Sequence, residues 1–154
     1  MNAQSLVQLA QEIVSQARIL KDLHTTEAAA AVNYVAVFAQ SEDEFAEFLA
    51  AAEQLGHVVQ HTPTGPLFQV PPIDTVSGKV KLLKVRAPDK ARVERGDADF
   101  TVSDYLRFKK ENLSRPGFRL ILREQFEMIE LLDATFDVLA YFSHPPLDQQ
   151  LGIA

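Results

Sequence analysis

The spacing of apolar residues predicts a helix near the start of the chain. Over residues 4–23, apolar side chains recur at alternating intervals of four and three, which places them on one face of an α-helix. The predicted apolar stripe consists of Leu6, Ala10, Ile13, Ala17 and Leu20. We expect this stripe to pack against the rest of the domain or against a second copy of the chain.

A strand followed by a capped helix is the clearest pattern in the next segment. Asn33 to Ala39 is uncharged and rich in β-branched and aromatic residues, which predicts a buried strand. Ser41 and Glu44 have the S-x-x-E spacing of a capping box, so a helix is predicted to begin there. Gly56 stands where a glycine in the left-handed conformation would end this helix.

Short runs of strand-forming residues separated by turn residues cover most of the remaining chain. The predicted strands are 57–61, 67–70, 79–86, 96–102, either one bent strand or two strands over 118–132, and 136–142. Pro71 and Pro72 are predicted to end the second of these strands. Ser103 is predicted to cap a helix that runs to about Leu113.

This order predicts an α+β fold: an N-terminal helix followed by two βαβββ-like units that form a mostly antiparallel sheet. The units span residues 33–86 and 97–142, and short turns rather than helical crossovers join most of their strands. The length of 154 residues fits a single domain. Within it we expect a helix and joint over 1–31, an α+β core over 32–145 and a tail over 146–154.

The order of elements resembles the paired βαβββ modules of the vicinal-oxygen-chelate family of glyoxalases and dioxygenases. That family holds its metal with His and Glu on inner strand faces. The first predicted strand here offers Asn33 and Tyr34 but no His. Glu127 or Glu130 could stand for the strand glutamate, but no matching pair of histidines is present. The resemblance therefore implies the fold, and we predict neither a metal site nor a cofactor.

Composition excludes some chemistry. The chain has no cysteine, which removes disulfides, thiolate nucleophiles and cysteine-based metal sites. It has no apolar run of about 20 residues and no basic region followed by an apolar run at the N-terminus, so we predict no membrane association and no secretory signal. From these absences we expect a cytoplasmic protein.

Charge is segregated along the sequence. Residues 1–78 carry a net charge of −7, residues 79–123 a net charge of +7, and residues 124–154 a net charge of −6. In one interpretation, folding mixes the segments and neighbouring acids pair with the bases. In another, the central segment forms a basic concavity for an anionic small molecule or a face for a partner. We do not expect nucleic acid as a ligand, because the acidic flanks would repel phosphate.

Three cations are the candidate ligand-binding residues. Lys84 and Arg86 share one face of a predicted strand, because side chains alternate along a strand, and Arg123 lies in a later strand that can neighbour it. Arginine binds carboxylate or phosphate through two parallel hydrogen bonds, and lysine binds it as a point charge. The alternative is that these side chains emerge at the rim of the sheet and are solvated.

Glu130 and Tyr141 are the candidate catalytic pair. If Glu127 and Glu130 belong to one extended strand, they point to opposite faces, so that one of them is inward or at a rim. A carboxylate among apolar neighbours can have a raised pKa and act as an acid or base. The last strand could place Tyr141 beside it. The alternative is an ordinary edge glutamate and a core tyrosine.

Asp97 and Asp99 support a third hypothesis. The pattern acid–apolar–acid–apolar resembles the metal-binding strand of nucleotidyltransferases and primases, where carboxylates two residues apart hold Mg²⁺. The helix start expected upstream in those enzymes is absent. The alternative is a solvated strand face or ion pairs with Arg95, Lys84 or Arg123.

Two functions from different classes remain open at this stage. The first is binding of an anionic small molecule in a basic pocket on the sheet, with acid–base processing by Glu130 and Tyr141 as an extension. The second is a non-catalytic interaction or regulatory module that forms a homodimer. Metal-dependent nucleotidyl transfer through Asp97 and Asp99 is the third hypothesis. Whether the chain is an enzyme stays open.

Overall fold

A computed structural model describes residues 1–153, so Ala154, the end of the predicted tail, lies outside the described residues. Within residues 1–153 the helices are α1 (Ala3–His24), α2 (Glu42–Leu55), α3 (Tyr105–Asn112) and α4 (Leu147–Gln150). None of the helices in this range is long and apolar enough to cross a membrane.

The same residues form one sheet of eight strands. The strands are β1 (Ala31–Phe38), β2 (His57–Thr62), β3 (Gly65–Thr75), β4 (Gly78–Arg86), β5 (Gly96–Thr101), β6 (Phe118–Leu122), β7 (Glu127–Leu131) and β8 (Val138–His144). Their order across the sheet is β2-β3-β4-β1-β5-β8-β7-β6. The pairs β1–β4 and β5–β8 are parallel, and the other neighbouring pairs are antiparallel. The chain therefore has the mixed α+β fold with an N-terminal helix that was predicted.

Helix α1 packs on the sheet through the predicted stripe. All five residues of that stripe are buried, and they belong to the main hydrophobic core together with Val35 and Val37 of β1. Asn2 caps the helix by accepting a hydrogen bond from the backbone N–H of Ser5 at 2.8 Å. Removal of this stripe from water is the main physical reason for the position of α1.

The capped helix α2 begins as predicted but ends differently. Ser41 is its N-cap, and its Oγ accepts a hydrogen bond from the N–H of Glu44 at 3.1 Å. Gly56 is extended, with φ −160°, rather than left-handed. A glycine is needed there because a Cβ would lie 1.9 Å from the backbone oxygen of Gln69. The prediction of a left-handed cap was wrong, and close backbone packing is the reason for the residue.

Two other local predictions need correction. Pro71 and Pro72 do not end β3, which continues to Thr75 with a shift of register between Gln69 and Ile73. An irregularity of this kind lets a strand hold residues that cannot donate to the ladder. Helix α3 is capped by Asp104, whose side chain accepts from the N–H of Arg107, and not by Ser103.

The segment 118–132 forms two strands, which was one of the two alternatives. Strands β6 and β7 pair as an antiparallel hairpin in which Arg119 lies opposite Glu130. Glu127 and Glu130 point to opposite faces of this hairpin: the side chain of Glu127 contacts α3, and that of Glu130 is buried on the other side.

The sheet has two different faces. Val35 and Val37 of β1 belong to the main core under α1 and α2. Tyr34, Ala36 and Phe38 alternate with them and belong to two smaller apolar clusters on the opposite side. We call this opposite side the pocket face, because the candidate site lies on it.

Candidate functional site

A cavity of about 520 Å³ lies on the pocket face over the middle of the sheet. Its floor includes Ala36 of β1, which is in register with Lys84 of β4 on one side and Asp97 of β5 on the other. The small alanine between two ionisable side chains gives the cavity its depth. A volume of this size is typical of sites for small molecules.

Five of the fifteen residues that line this cavity are cations, and we call it the basic pocket. Of the predicted site residues, Lys84, Arg86, Arg123 and Tyr141 line it, and Glu130 contacts Tyr141 from behind. The cations in its lining are Lys84, Arg86, Arg92, Arg119 and Arg123. The structure therefore brings the predicted residues together, whereas their roles remain predictions.

Lys84 and Arg123 have no carboxylate partner among the ion pairs of residues 1–153. Burial lowers the pKa of Lys84; the charge of Asp97 opposes this effect, and those of Arg86 and Arg123 reinforce it. Repulsion between cations of this kind costs free energy until an anion or a proton loss relieves it.

Arg86 contacts a ring and a carboxylate but keeps one donor without a hydrogen-bond partner among the described residues. Its guanidinium lies over the ring of Phe38, 4.9 Å from the ring centre, and its Nη2 is 3.3 Å from Oδ2 of Asp89. Its Nε is buried and has no hydrogen-bond partner among the described residues. A buried donor without an acceptor costs free energy, so the contacts made by Arg86 among the described residues do not satisfy its guanidinium completely.

The sequence left open whether structural acids pair the predicted cations. Glu127 does not: its Oε2 accepts hydrogen bonds from Lys109 and from the Tyr105 hydroxyl, both at 2.8 Å, on the other face of the sheet. Asp99 does not either, since its Oδ2 accepts a hydrogen bond from the hydroxyl of Ser143. The only acid that lines the basic pocket within the described residues is Asp97.

Glu130 lies in what we call the Glu130 corner, where three donors surround one carboxylate oxygen. Its Oε2 is 2.7 Å from the hydroxyl of Tyr141, 2.9 Å from Nη2 of Arg92 and 3.4 Å from Nη2 of Arg119. Burial raises the pKa of Glu130, but the hydrogen bond from Tyr141 and the nearby arginine charges outweigh it, so the pKa is lowered. Glu130 is therefore a stable carboxylate near neutral pH.

Tyr141 is a neutral hydrogen-bond donor in this corner. Burial raises its pKa, and the charge of Asp97 and the hydrogen bond to Glu130 raise it further. The predicted contact between Glu130 and Tyr141 is present, but its electrostatics favour a structural pair over a group that exchanges protons.

Asp97 lies in what we call the Asp97 corner and has the opposite environment. It is 5% exposed, and its Oδ1 is buried without a hydrogen-bond partner among the described residues. Burial raises the pKa of Asp97 to about 7, although the charges of Lys84, Arg86 and Arg92 act to lower it. A carboxyl group with such a pKa can both take and give a proton near neutral pH.

Asp99 lies two residues after Asp97 in β5, on the same face of the strand, and is fully buried. Burial raises its pKa to about 7, while the hydrogen bond from Ser143 acts to lower it. The alternative of a solvated acidic strand face is wrong, because both side chains are removed from water. Nowhere in residues 1–153 do three or more His, Asp or Glu side chains converge in a way that could hold a metal ion.

Sequence reasoning missed two arginines and gave Asp97 a different role. Arg92 lies in the loop between β4 and β5, and no sequence pattern shows where a loop side chain will point. Arg119 carried a usable signal: a hairpin centred between Glu124 and Gln125 pairs residue 119 with residue 130. The missing step was a choice between one strand and two over 118–132.

Comparison with known proteins supports the fold. No protein-family profile matches the sequence, and no curated protein matches it. Among solved structures, the chain is similar to Protein EC4020 from structural genomics, with a TM-score of 0.68 and 14% identity over 99% of this chain and 96% of that one. At this identity the likeness shows a shared fold alone.

Two further structures are similar at a lower level. One is a methylmalonyl-CoA epimerase from Mycobacterium tuberculosis, with a TM-score of 0.49 and 16% identity over 77% of this chain and 90% of that one. The other is a glyoxalase/bleomycin resistance protein/dioxygenase superfamily member from Vibrio splendidus 12B01, with a TM-score of 0.45 and 9% identity over 74% of this chain and 97% of that one.

Proposed function

We propose that the basic pocket binds a small organic anion and that Asp97 exchanges a proton with it. The observation that carries this proposal is the set of cations around one cavity, of which Lys84 and Arg123 have no acid partner among the described residues. Carboxylate and phosphate are the ligand groups that such a set recognises.

Three residues supply the anion contacts in this proposal. Arg86, whose side chain lines the cavity and is 18% exposed, offers the accessible part of its guanidinium to a ligand oxygen, and Lys84 and Arg123 add further positive charge to the cavity lining. A bound anion would reduce the mutual repulsion that, with burial, lowers the pKa of Lys84. Binding would therefore stabilise the ionised form of Lys84 and the folded chain together.

Asp97 is the acid–base group that we favour, in place of Glu130. Both carboxylates are buried near the pocket, but Glu130 already accepts hydrogen bonds from three donors, whereas no donor from the described part of the chain reaches Oδ1 of Asp97. In its ionised form, Asp97 would accept a proton from a bound anion next to Lys84, whose ammonium would stabilise the negative charge that develops. We assign Glu130 and Tyr141 the role of positioning Arg92.

We also infer that residues 31–86 and 96–144 are two βαβββ units related by a repeat of topology. The support is that each segment runs strand–helix–strand–strand–strand and pairs its first and last strands in parallel. The antiparallel pair β1–β5 joins them at the centre of the sheet. On this reading, the pocket lies over the junction, and each unit contributes cations to it.

Sulfate tests the anion site, because its charge does not change between pH 5 and 9. We expect a saturable rise in melting temperature at constant ionic strength and a Kd measurable by calorimetry. Arg123→Ala should weaken sulfate binding about fivefold to tenfold, since a hydrogen bond to a charged group contributes about 1.5–3 kcal/mol and Arg123 is partly solvated. Lys81→Ala is the matched control, because Lys81 is an exposed lysine of β4 outside the pocket.

The same titration tests Asp97. Because the pKa of Asp97 is about 7, its ionisation adds a negative charge to the pocket, and sulfate affinity should fall between pH 6 and pH 8. Asp97→Asn should flatten this fall. Equal effects of Arg123→Ala and Lys81→Ala, or a linear response to sulfate without saturation, would contradict the anion site. An unchanged pH profile in Asp97→Asn would contradict the role of Asp97.

A further inference from the structure

A second cavity, of about 560 Å³, adjoins the basic pocket on the same face of the sheet. The two cavities share the side chains of Tyr34, Thr64, Lys84, Arg123 and Met128 in their linings. The two cavities therefore meet at these side chains, and a ligand that passes beside the flexible side chains of Lys84 and Arg123 would occupy both. We call the second cavity the neutral compartment for the reason that follows.

The lining of the neutral compartment differs in charge from that of the basic pocket. Among the described residues that line it, the only charged ones are Lys84 and Arg123, which belong to the shared wall. Beyond that wall it has apolar side chains from Pro63, Leu67, Phe126 and Leu147. The remaining polar groups there are neutral, such as the amides of Gln60 and Gln150.

We infer that the ligand is an amphiphilic anion: one anionic head group held by the cations and one uncharged, partly apolar body that lies in the neutral compartment. This inference rests on the proposed function, because it takes the basic pocket as the site of the head group. Lys84 and Arg123 mark the boundary, so the charged group lies at or on the basic side of these two residues.

Because cations lie at only one end of the two adjoining cavities, some anions should fit poorly. A molecule with an anionic group at each end would place its second charge among Leu67, Phe126 and Leu147, where residues 1–153 supply no further cation to the cavity lining. Burial of an unpaired charge is costly. A small inorganic anion would fill the basic pocket but leave the apolar side chains of the neutral compartment in contact with water.

Helix α4 closes the far side of this compartment. Leu147 of α4 and the following Leu151 pack against the cluster of Tyr34, Leu67 and Leu82 on the pocket face. The backbone N–H of Asp148 donates to Oδ1 of Asn33 at 3.1 Å, which ties the helix to β1. The neutral compartment is therefore bounded by an element that is attached to the central strand.

Methyl phosphate and hexyl phosphate test the inference, since they share a head group and differ by five methylenes. Each methylene removed from water is worth about a fourfold gain in affinity. If half of the five additional methylenes are buried, hexyl phosphate should bind at least about thirtyfold more tightly than methyl phosphate in calorimetry. Phe126→Ser should reduce this ratio at least about threefold while the Kd for methyl phosphate stays unchanged, which also shows that the variant is folded.

The control is Val76→Ser, which removes an exposed apolar side chain from a turn that lines neither cavity and should leave the ratio unchanged. Equal affinities for the two phosphates, with binding weakened by Arg123→Ala, would overturn the amphiphilic ligand and leave the anion site standing. No saturable binding of either phosphate would overturn both. A thirtyfold ratio that Phe126→Ser does not change would place the hexyl group outside the neutral compartment and overturn the inference.

Discussion

The Glu130 corner and the Asp97 corner present two carboxylates on one face of one sheet with opposite electrostatic outcomes. Both side chains are nearly fully buried, at 3% and 5% exposure. The pKa of Glu130 is lowered, whereas that of Asp97 is raised to about 7. Burial raises the pKa in both cases, so burial alone does not decide the outcome.

Direct hydrogen bonds make the difference. One oxygen of Glu130 accepts from Tyr141, Arg92 and Arg119, and these donors favour the ionised form. Asp97 has cations nearby but accepts no side-chain hydrogen bond from them, and its Oδ1 has no partner within residues 1–153. Charge at a distance compensates less for lost hydration than donors in contact do. One face of a sheet can therefore hold both a fixed anion and a carboxyl group with an adjustable charge.

Glu130→Gln should break the fixed corner and have the largest effect on stability. The substitution leaves Arg92 and Arg119 without their shared carboxylate, and loss of one partner of a buried ion pair costs about 3–5 kcal/mol. Arg92 and Arg119 are partly exposed, at 21% and 62%, so we expect a loss of about 2–3 kcal/mol in urea unfolding at pH 7.

The pH dependence gives this prediction a second readout. Because the folded-state pKa of Glu130 is lowered, its contribution is present above the unfolded pKa and is lost as pH falls through the folded value. The deficit of Glu130→Gln should therefore shrink in acid. Glu124→Gln, which changes an exposed turn residue, is the control. A variant as stable as the parent at pH 7 would contradict the description of this corner.

Asp97→Asn should raise the free energy of unfolding, which is opposite to the effect of Glu130→Gln. Between the unfolded pKa near 3.8 and the folded pKa of about 7, the folded chain binds more protons, so stability falls as pH rises through that range. One pKa unit corresponds to about 1.4 kcal/mol, and the asparagine amide forfeits some contacts, so we expect a gain of about 1–3 kcal/mol at pH 8. The gain should disappear near pH 4, as measured by urea unfolding at both values.

Asp104→Asn is a matched control for this gain, because Asp104 is an exposed helix cap and asparagine caps equally well. A loss of stability at pH 8 in Asp97→Asn would mean that Asp97 is paired in the folded chain. The contrast between the two corners would then be absent.

Tyr141→Phe should have the smallest effect on stability of the three substitutions. It removes one of the three donors to Glu130 and keeps the ring, so we expect a loss of about 0.5–1.5 kcal/mol, the usual net value of a hydrogen bond. The pKa of Glu130, followed by NMR of its side-chain carboxyl carbon, should rise toward its ordinary value. Tyr34→Phe provides the comparison, since no hydrogen bond joins the Tyr34 hydroxyl to Glu130. An unchanged Glu130 titration in Tyr141→Phe would show that the arginines alone fix its charge.

Periodic patterns predicted most of the architecture. The stripe of α1 and the uncharged run of β1 are local features that survive folding because each buries its own apolar face. Apart from the one-residue shift of the α3 cap from Ser103 to Asp104, the errors lie where a distant part of the backbone decides the structure. The conformation of Gly56 depends on the approach of Gln69, and the length of β3 depends on a register shift against β4 that no local pattern encodes.

The candidate site was predictable as a set of residue types and less so as chemistry. Alternation along β4 placed Lys84 and Arg86 on one face, and the hairpin places Arg119 beside Glu130. Which carboxylate gains hydrogen bonds is a property of side-chain packing across several strands. The positions of Arg92 and of Tyr141 relative to Glu130 and Asp97 decide it, and these positions depend on a loop and on strand order.

The two halves of the sheet meet at the pair β1–β5, and the loop 87–95 is the covalent link between them. Lys84 and Arg86 precede the loop 87–95, and Arg119 and Arg123 follow it. A chain cut in this loop would give two fragments, each with an incomplete set of cations. Reassembly of the fragments would bring like charges together, so an anion bound in the basic pocket would favour it. Cleavage in this loop would therefore turn the protein into a ligand-dependent split reporter.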